Sequence, residues 1–277
     1  MGLFPFSFFV MLMTGLLILA GGLVTSHKAG LAVPDWPLSY GRFFPPMVGN
    51  IFWEHGHRMM AGSVGILTLL LALWIQIQEK RAWLKRLAWI SFGAVVFQAV
   101  LGGLTVLYML PAPISIFHAC LAQTFFCLIV AITFFLRPQS ASFVIPASGS
   151  PARLFLITTC FIYLQLILGA TVRHTAQGHA LVPHIVVAFL VAIHVILCLV
   201  RSLRFHGNDQ VLSRAALSMG MLTVFQIFLG MGSFIFTRMI PQGDVPSALQ
   251  VLFTAFHQTG GAMILAISVF MNLWVRQ

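Results

Sequence analysis

Trp53-Glu54-His55-Gly56-His57-Arg58 places four ionisable groups within five positions, in a chain where only 7% of residues are charged. Carboxylates and imidazoles are the side chains of proton transfer and metal ligation. On a helix, Glu54 and His57 lie three residues apart and share a face, whereas His55 points roughly 160° away from His57. Any chemistry here falls first to Glu54 and His57. Taken alone, the cluster also suits a membrane interface, where polar and aromatic residues collect.

Three further histidines widen the question. His118, His184 and His257 each open a long apolar run, as His57 does. One histidine in such a place is accounted for by snorkelling or by a single satisfied hydrogen bond. Four at equivalent places call for a shared role. Two imidazoles from facing helices at similar depth form the arrangement that clamps an iron porphyrin axially in a four-helix bundle, with apolar helix walls around the macrocycle. Zinc is the competing metal, but neither a thiolate nor a clustered third ligand accompanies these histidines. His27, His174 and His179 sit in loops or at helix ends, His194 is mid-span and His206 is in a basic loop; ordinary roles suffice for most of them. Arg58, Arg173 and Arg238 could pair with porphyrin carboxylates, and simple interfacial placement accounts for any one of them equally well.

The elements that must position these residues are set by hydropathy. The 277 residues are 60% hydrophobic with mean hydropathy +0.99, and the apolar runs have the ~20-residue length that crosses a ~30 Å hydrocarbon core. Eight runs, at about 6–26, 55–77, 84–107, 113–136, 152–173, 181–202, 212–236 and 248–274, predict an all-α polytopic membrane protein. An even number of spans puts both termini on one side. Lys80, Arg81, Lys85 and Arg86, then Arg137 and Arg153, then Arg201, Arg204 and Arg214 fill alternate connections. By the positive-inside rule these loops and both termini are cytoplasmic, and the long loop 27–54 faces outward. The formal charge of +10 is thus spent on orientation, and nucleic acid is not an expected partner. The four cysteines, Cys120, Cys127, Cys160 and Cys198, lie in apolar runs without a CxxC pair and read as small core residues. The first run lacks a basic leader and a cleavage site, so it is expected to be a retained helix.

Gln98-x-x-Leu101-Gly102, Gln165-x-x-Leu168-Gly169 and Gln226-x-x-Leu229-Gly230 recur in spans 3, 5 and 7, with small residues able to bring helices close together. The expected architecture is two pseudo-repeated four-helix bundles, residues 1–137 and 151–277, joined by the Ser-, Ala- and Pro-rich linker 138–150. The overlay of the two halves sets Leu181 where the first has Glu54. One half has an acid beside its histidine pair and the other does not. A bis-histidine iron porphyrin without a proton carrier suits electron transfer, which leaves the N-terminal half for chemistry.

The Glu54-x-x-His57-Arg58 motif, the Gly30-Leu31-Ala32-Val33-Pro34-Asp35-Trp36-Pro37-Leu38 loop and the four helix-opening histidines together resemble the heme A synthase family, over essentially all eight spans. Many bacterial members carry a cysteine on each side of that loop motif; Val33 and Ser39 stand there in this chain, which is therefore similar to the cysteine-free type. The resemblance implies that the C8 methyl group of heme O is oxidised to a formyl group by successive hydroxylation and loss of water, giving heme A. It implies that His57 and His118 flank the substrate heme, and that His184 and His257 hold a heme b. Glu54 would shuttle protons or stabilise a cationic intermediate. Expected partners are the bilayer, a prenyltransferase that makes heme O, and a heme-copper terminal oxidase or its assembly factors. The expected location is the bacterial cytoplasmic membrane, with the heme sites towards the outer face. Homo-oligomers are compatible with the sequence. The other readings are a bis-histidine b-type cytochrome exchanging electrons with quinone, which leaves the one-sided acid unexplained, and a transporter, which needs no axial ligand pairs.

Overall fold

Inside hydrocarbon no water is available to the backbone, so an apolar stretch must satisfy its own N–H and C=O groups as a helix. The computed structural model describes residues 2–138, 151–175, 178–205, 207, 209–240 and 243–276. They form α1 (Leu3–Ser26), α2 (Gly49–Gln78), α3 (Ala82–Leu107), α4 (Ala112–Leu136), α5 (Pro151–His174), α6 (Leu181–Phe205), α7 (Gln210–Phe234) and α8 (Ala248–Trp274). Each is long and apolar enough to cross a membrane, and the chain is an integral membrane protein. Of the expected linker, residues 139–150 lie outside the described residues.

The helix ends fall within a few residues of the hydropathy limits except at α2, which begins at Gly49 and not at 55. An apolar run marks where hydrocarbon begins, whereas a helix begins where its hydrogen bonds do. Pro45 and Pro46 close the loop just before it. Glu54 and His57 are therefore well inside α2 and not at its mouth.

In the N-terminal half α1 packs on α2 and α4, α2 on α3, and α3 on α4; in the C-terminal half α5 packs on α6 and α8, α6 on α7, and α7 on α8. Val10, Leu71, Ile75, Leu84, Ile129 and Ile132 form the core of the first ring, and Phe155, Cys198, Leu212, Met219, Leu265 and Met271 that of the second. The rings meet where α1 and α4 touch α8, and α4 touches α5, around Ile18, Phe126, Val130 and Ala262.

The turns at one end are tied by charge. Glu79 accepts the backbone N–H groups of Lys80 and Arg81 and pairs with the Arg81 guanidinium at 2.8 Å, while Arg81 also donates to the Phe135 carbonyl at the end of α4. Asp209 caps α7 by accepting from Val211 and Leu212, and its second oxygen takes the Trp274 indole N–H at 2.6 Å. Arg137 lies over the rings of Phe134 and Trp274. Together these contacts draw the ends of α4 and α8 and the start of α7 to the same end of the molecule.

Candidate functional site

His57, His118, His184 and His257 each rest against a glycine of the preceding helix. A Cβ added at Gly21 of α1 would stand 3.1 Å from Cε1 of His57, at Gly102 of α3 3.2 Å from that of His118, at Gly169 of α5 3.1 Å from that of His184, and at Gly230 of α7 2.9 Å from that of His257. At Gly230 a methyl group would force a shift, and at the other three it would crowd the ring by a few tenths of an ångström, so glycine is what lets the ring sit this close. The expected role of the small residues in helix approach thus takes a sharper form: the partner brought close is the imidazole itself.

In the C-terminal half the rings of His184 and His257 have centroids 6.2 Å apart and cross at 81°. In the N-terminal half His57 and His118 lie within electrostatic reach of one another. The glutamines of the recurring motif brace this arrangement. Gln98 donates its amide to the His118 carbonyl at 2.9 Å and Gln226 to that of His257 at 2.6 Å, while the Gln165 amide nitrogen is 3.4 Å from Nε2 of His184. Nδ1 of His257 lies 3.1 Å from the Gln226 carbonyl. A carbonyl only accepts, so Nδ1 carries the proton and Nε2 keeps a free lone pair.

Glu54 faces elsewhere. It is buried, its Oε2 accepting the Val33 N–H at 2.8 Å and its Oε1 pairing with Arg58 at 2.5 Å. Arg58 also donates to the carbonyls of Asp35 and Leu38 at 2.8 and 2.9 Å, to Ser39 Oγ at 3.3 Å and to the Val33 carbonyl at 3.4 Å. The two residues clamp the loop between α1 and α2 from one side, and the buried His55 meets Ser39 Oγ at 2.8 Å from the same helix. Within the loop, Asp35 accepts the N–H groups of Tyr40 and Gly41, and Tyr40 donates its hydroxyl to Ala32. The bond from Gly41 above all, with that from Tyr40 and the field of Arg58, holds the Asp35 carboxyl below its usual range. Trp36, followed by a cis peptide to Pro37, seats its indole on Gly103 of α3, where a Cβ would fall 2.5 Å from Cδ2. Phe43 and Phe44 stand out at 77% exposure, a surface for the interfacial region of a bilayer.

Arg173, at the end of α5, reaches across the two rings. It donates to Gly22 O at 3.1 Å and Ser26 Oγ at 2.7 Å on α1 and to Thr254 O at 3.4 Å on α8, and its buried Nε has no hydrogen-bond partner. Arg238 is exposed in a short π-helical turn, Ile235–Met239. His194 bonds back to the Leu190 carbonyl and lies against Phe161; His27 stacks on Trp53 at 4.1 Å. His174 ends α5, His179 is exposed in a short 3-10 turn, and His206 lies outside the described residues.

The donor set fits an iron porphyrin. Two metal–imidazole bonds of ~2 Å, with the half-width of each ring added, span about the separation of the His184 and His257 rings. The buried Nδ1 atoms of His57, His118 and His184 have no hydrogen-bond partner. Among the described residues no group of three or more His, Cys, Asp or Glu comes together.

Eight membrane-crossing helices with half-buried histidine pairs, each ring seated on a glycine, make this a polytopic helical membrane protein with imidazole-lined sites. The chain belongs to the cytochrome oxidase assembly protein family, whose sequence profile matches residues 5–185. That match takes in Glu54, His57, His118 and His184. Similar proteins include the heme A synthase of an Exiguobacterium species, 28% identical over 183 residues, covering 64% of this chain and 60% of the relative. Those of Bacillus pumilus and Symbiobacterium thermophilum are 33% identical over 180 residues and 32% identical over 174, covering 62% and 60% of this chain and 58% and 57% of the relatives. The chain thus spans about 60% of the length of the curated relatives it matches.

Proposed function

We propose that the chain is a heme A synthase, an oxidoreductase that converts the C8 methyl of heme O to the formyl group of heme A. The observation that carries this reading is the crossed His184–His257 pair, with its 6.2 Å ring separation, set against a second histidine pair whose helix α2 also carries Glu54, there clamped to the loop between α1 and α2. Residues 1–137 form the substrate half, with His57 and His118 flanking heme O, and residues 151–277 the electron-transfer half.

A heme b held by His184 and His257 would supply one-electron transfer when bound. The residues around it do the rest. Gln226 fixes the tautomer of His257, as the outer partners of metal-bound imidazoles commonly do. Arg173, with an unpartnered Nε, is suited to a propionate; Arg238 is a second candidate on an exposed turn, and Arg58 serves the loop first. Glu54 carries protons away from the oxidised methyl or stabilises positive charge there, while its bond to Val33 keeps the loop shut over the site. Heme O is an amphiphile with a long isoprenoid tail, so it enters sideways from the bilayer. The sites face the outer side of a bacterial cytoplasmic membrane, with both termini cytoplasmic, between a prenyltransferase that supplies heme O and a terminal oxidase or its assembly factors that take heme A.

Extraction of the pigments from purified protein tests the proposal. Heme O or heme A beside heme b is the expected result. Heme b alone would replace the synthase with a bis-histidine cytochrome, and a sub-stoichiometric heme content with a transporter.

A further inference from the structure

Four seams pair an odd-numbered helix with the even-numbered helix after it, and in all four a glycine seats a histidine ring. Three share a second fastening. Four residues before the glycine stand Gln98, Gln165 and Gln226, and each reaches across its seam to the histidine: to the backbone carbonyl of His118 and His257, and to the ring of His184. The fourth seam, α1 on α2, has Leu17 at that place. Leu17 is half-buried and packs on the apolar core of the first ring, and a leucine has nothing to donate to the His57 carbonyl. Nδ1 of His57 is buried without a partner, as are those of His118 and His184, so what sets this seam apart is the missing glutamine.

This difference matters in a bilayer. No hydrophobic force favours a closed seam in lipid, so the preference comes from van der Waals packing and interhelical hydrogen bonds, and a seam without such a bond keeps the packing alone. Absence of the bond raises an opening equilibrium by roughly 3–30-fold. Both helices also carry exposed apolar residues, Phe8, Leu12 and Leu16 on α1 and Met59 and Ile66 on α2, so an opening between them leads into lipid and not water.

We propose that the α1–α2 seam at Leu17, Gly21 and His57 is the joint that yields to admit and release the prenylated tetrapyrrole, His57 being the imidazole that lets go. The other three histidines are held by positioning glutamines. The inference rests on the function proposed above and deepens it by naming the exchanging side of the site.

The test is pigment exchange. Purified full-length protein with its bound pigments is mixed with excess apomyoglobin as a scavenger, and transfer of each pigment is followed by absorbance and by chromatography of the extracted hemes. Wild type should release its heme O or heme A faster than its heme b. Leu17→Gln, similar in size and able to reach the His57 carbonyl, should slow the first release roughly 3–30-fold and leave heme b unchanged. Gln98→Leu removes the fastening of the neighbouring seam and should speed the first release by a similar factor. It also keeps the test alive if Leu17→Gln does not fold. Unchanged release from a folded Leu17→Gln protein, or from Gln98→Leu, overturns the inference. A wild-type protein holding heme b alone overturns the proposed function itself, a separate outcome read before any variant is made.

Discussion

His257 and Gln226 hold one another by two hydrogen bonds: the ring Nδ1 donates to the Gln226 carbonyl at 3.1 Å, and the Gln226 side-chain amide donates to the His257 carbonyl at 2.6 Å. The imidazole is thereby fixed in position and in tautomer before any ligand arrives. His257→Ala or His184→Ala should abolish the low-spin heme b spectrum while another heme stays bound. A full heme b signal in both variants would remove the C-terminal assignment.

Glu54→Gln separates two roles of one carboxylate. An amide can accept through only one atom, so either the Val33 N–H or the Arg58 guanidinium loses its partner, and breaking a buried ion pair costs about 3–5 kcal/mol. The loop should loosen in hydrogen exchange. Loss of a proton carrier also costs ~10²–10⁴-fold in rate, so heme O or a hydroxylated intermediate should accumulate with heme b normal. Arg58→Lys loosens the same loop but keeps the carboxylate. Equal heme A yields from the two variants would reduce Glu54 to a loop clamp.

Gly103→Ala should unseat Trp36. The added methyl would overlap the indole, and overpacking of this kind costs about 1–3 kcal/mol. Faster hydrogen exchange across residues 30–42, with the helices still protected, is the expected signature. Unchanged exchange there would mean that Trp36 contributes little to holding the loop.

Val33 and Ser39, both fully buried, stand where the family resemblance implies a cysteine pair in many bacterial members, and the four cysteines of this chain are free. Turnover should be indifferent to mild thiol reductants. A strong loss, not reproduced by reducing the electron acceptor of the assay, would count against a cysteine-free mechanism.

The Glu79 clip gives a pH signature. Hydrogen bonding from Arg81, followed by the backbone donors, lowers its carboxyl from an ordinary 4.5 to about 2. A folded-state pKa below the unfolded one stabilises the fold fully above pH 4.5, and that stabilisation is lost as pH falls through about 2. The Tm difference between wild type and Glu79→Gln in detergent should be largest at neutral pH and shrink over that interval. A difference that persists below pH 2 would show that the contact does not depend on ionisation.

The eight helices were legible because hydropathy and hydrocarbon thickness leave one solution for each long apolar run. The start of α2 was not, since Gly49 to Trp53 are helical without being uniformly apolar. That His55 and His57 point apart followed from helical spacing: His57 rests on Gly21 of α1, whereas His55 meets Ser39 in the loop, a contact the spacing alone did not name. The engagement of Glu54 did not follow: a three-residue spacing gives proximity to His57, but the acid is drawn to Arg58 one turn on and to a backbone N–H 21 residues away. The Gln-x-x-Leu-Gly recurrence was visible, but its purpose was not, because which ring a glycine admits depends on the neighbouring helix. Gly21 escaped notice for a related reason, as α1 has the glycine without the glutamine. Nothing in the sequence pairs Trp36 with Gly103.

The first helix is covered by the last. Gly22 of α1 faces Ala255 and Gln258 of α8, and Ile18 shares a cluster with Ala262. During synthesis that face of α1 therefore has no permanent neighbour until the eighth span leaves the ribosome, which at ~5–20 residues per second takes on the order of tens of seconds. For that interval lipid or the insertion machinery must occupy the place of α8. The part of the seam between the two rings that α8 supplies thus forms late, and any histidine site that depends on α8 is complete only after that span has been translated.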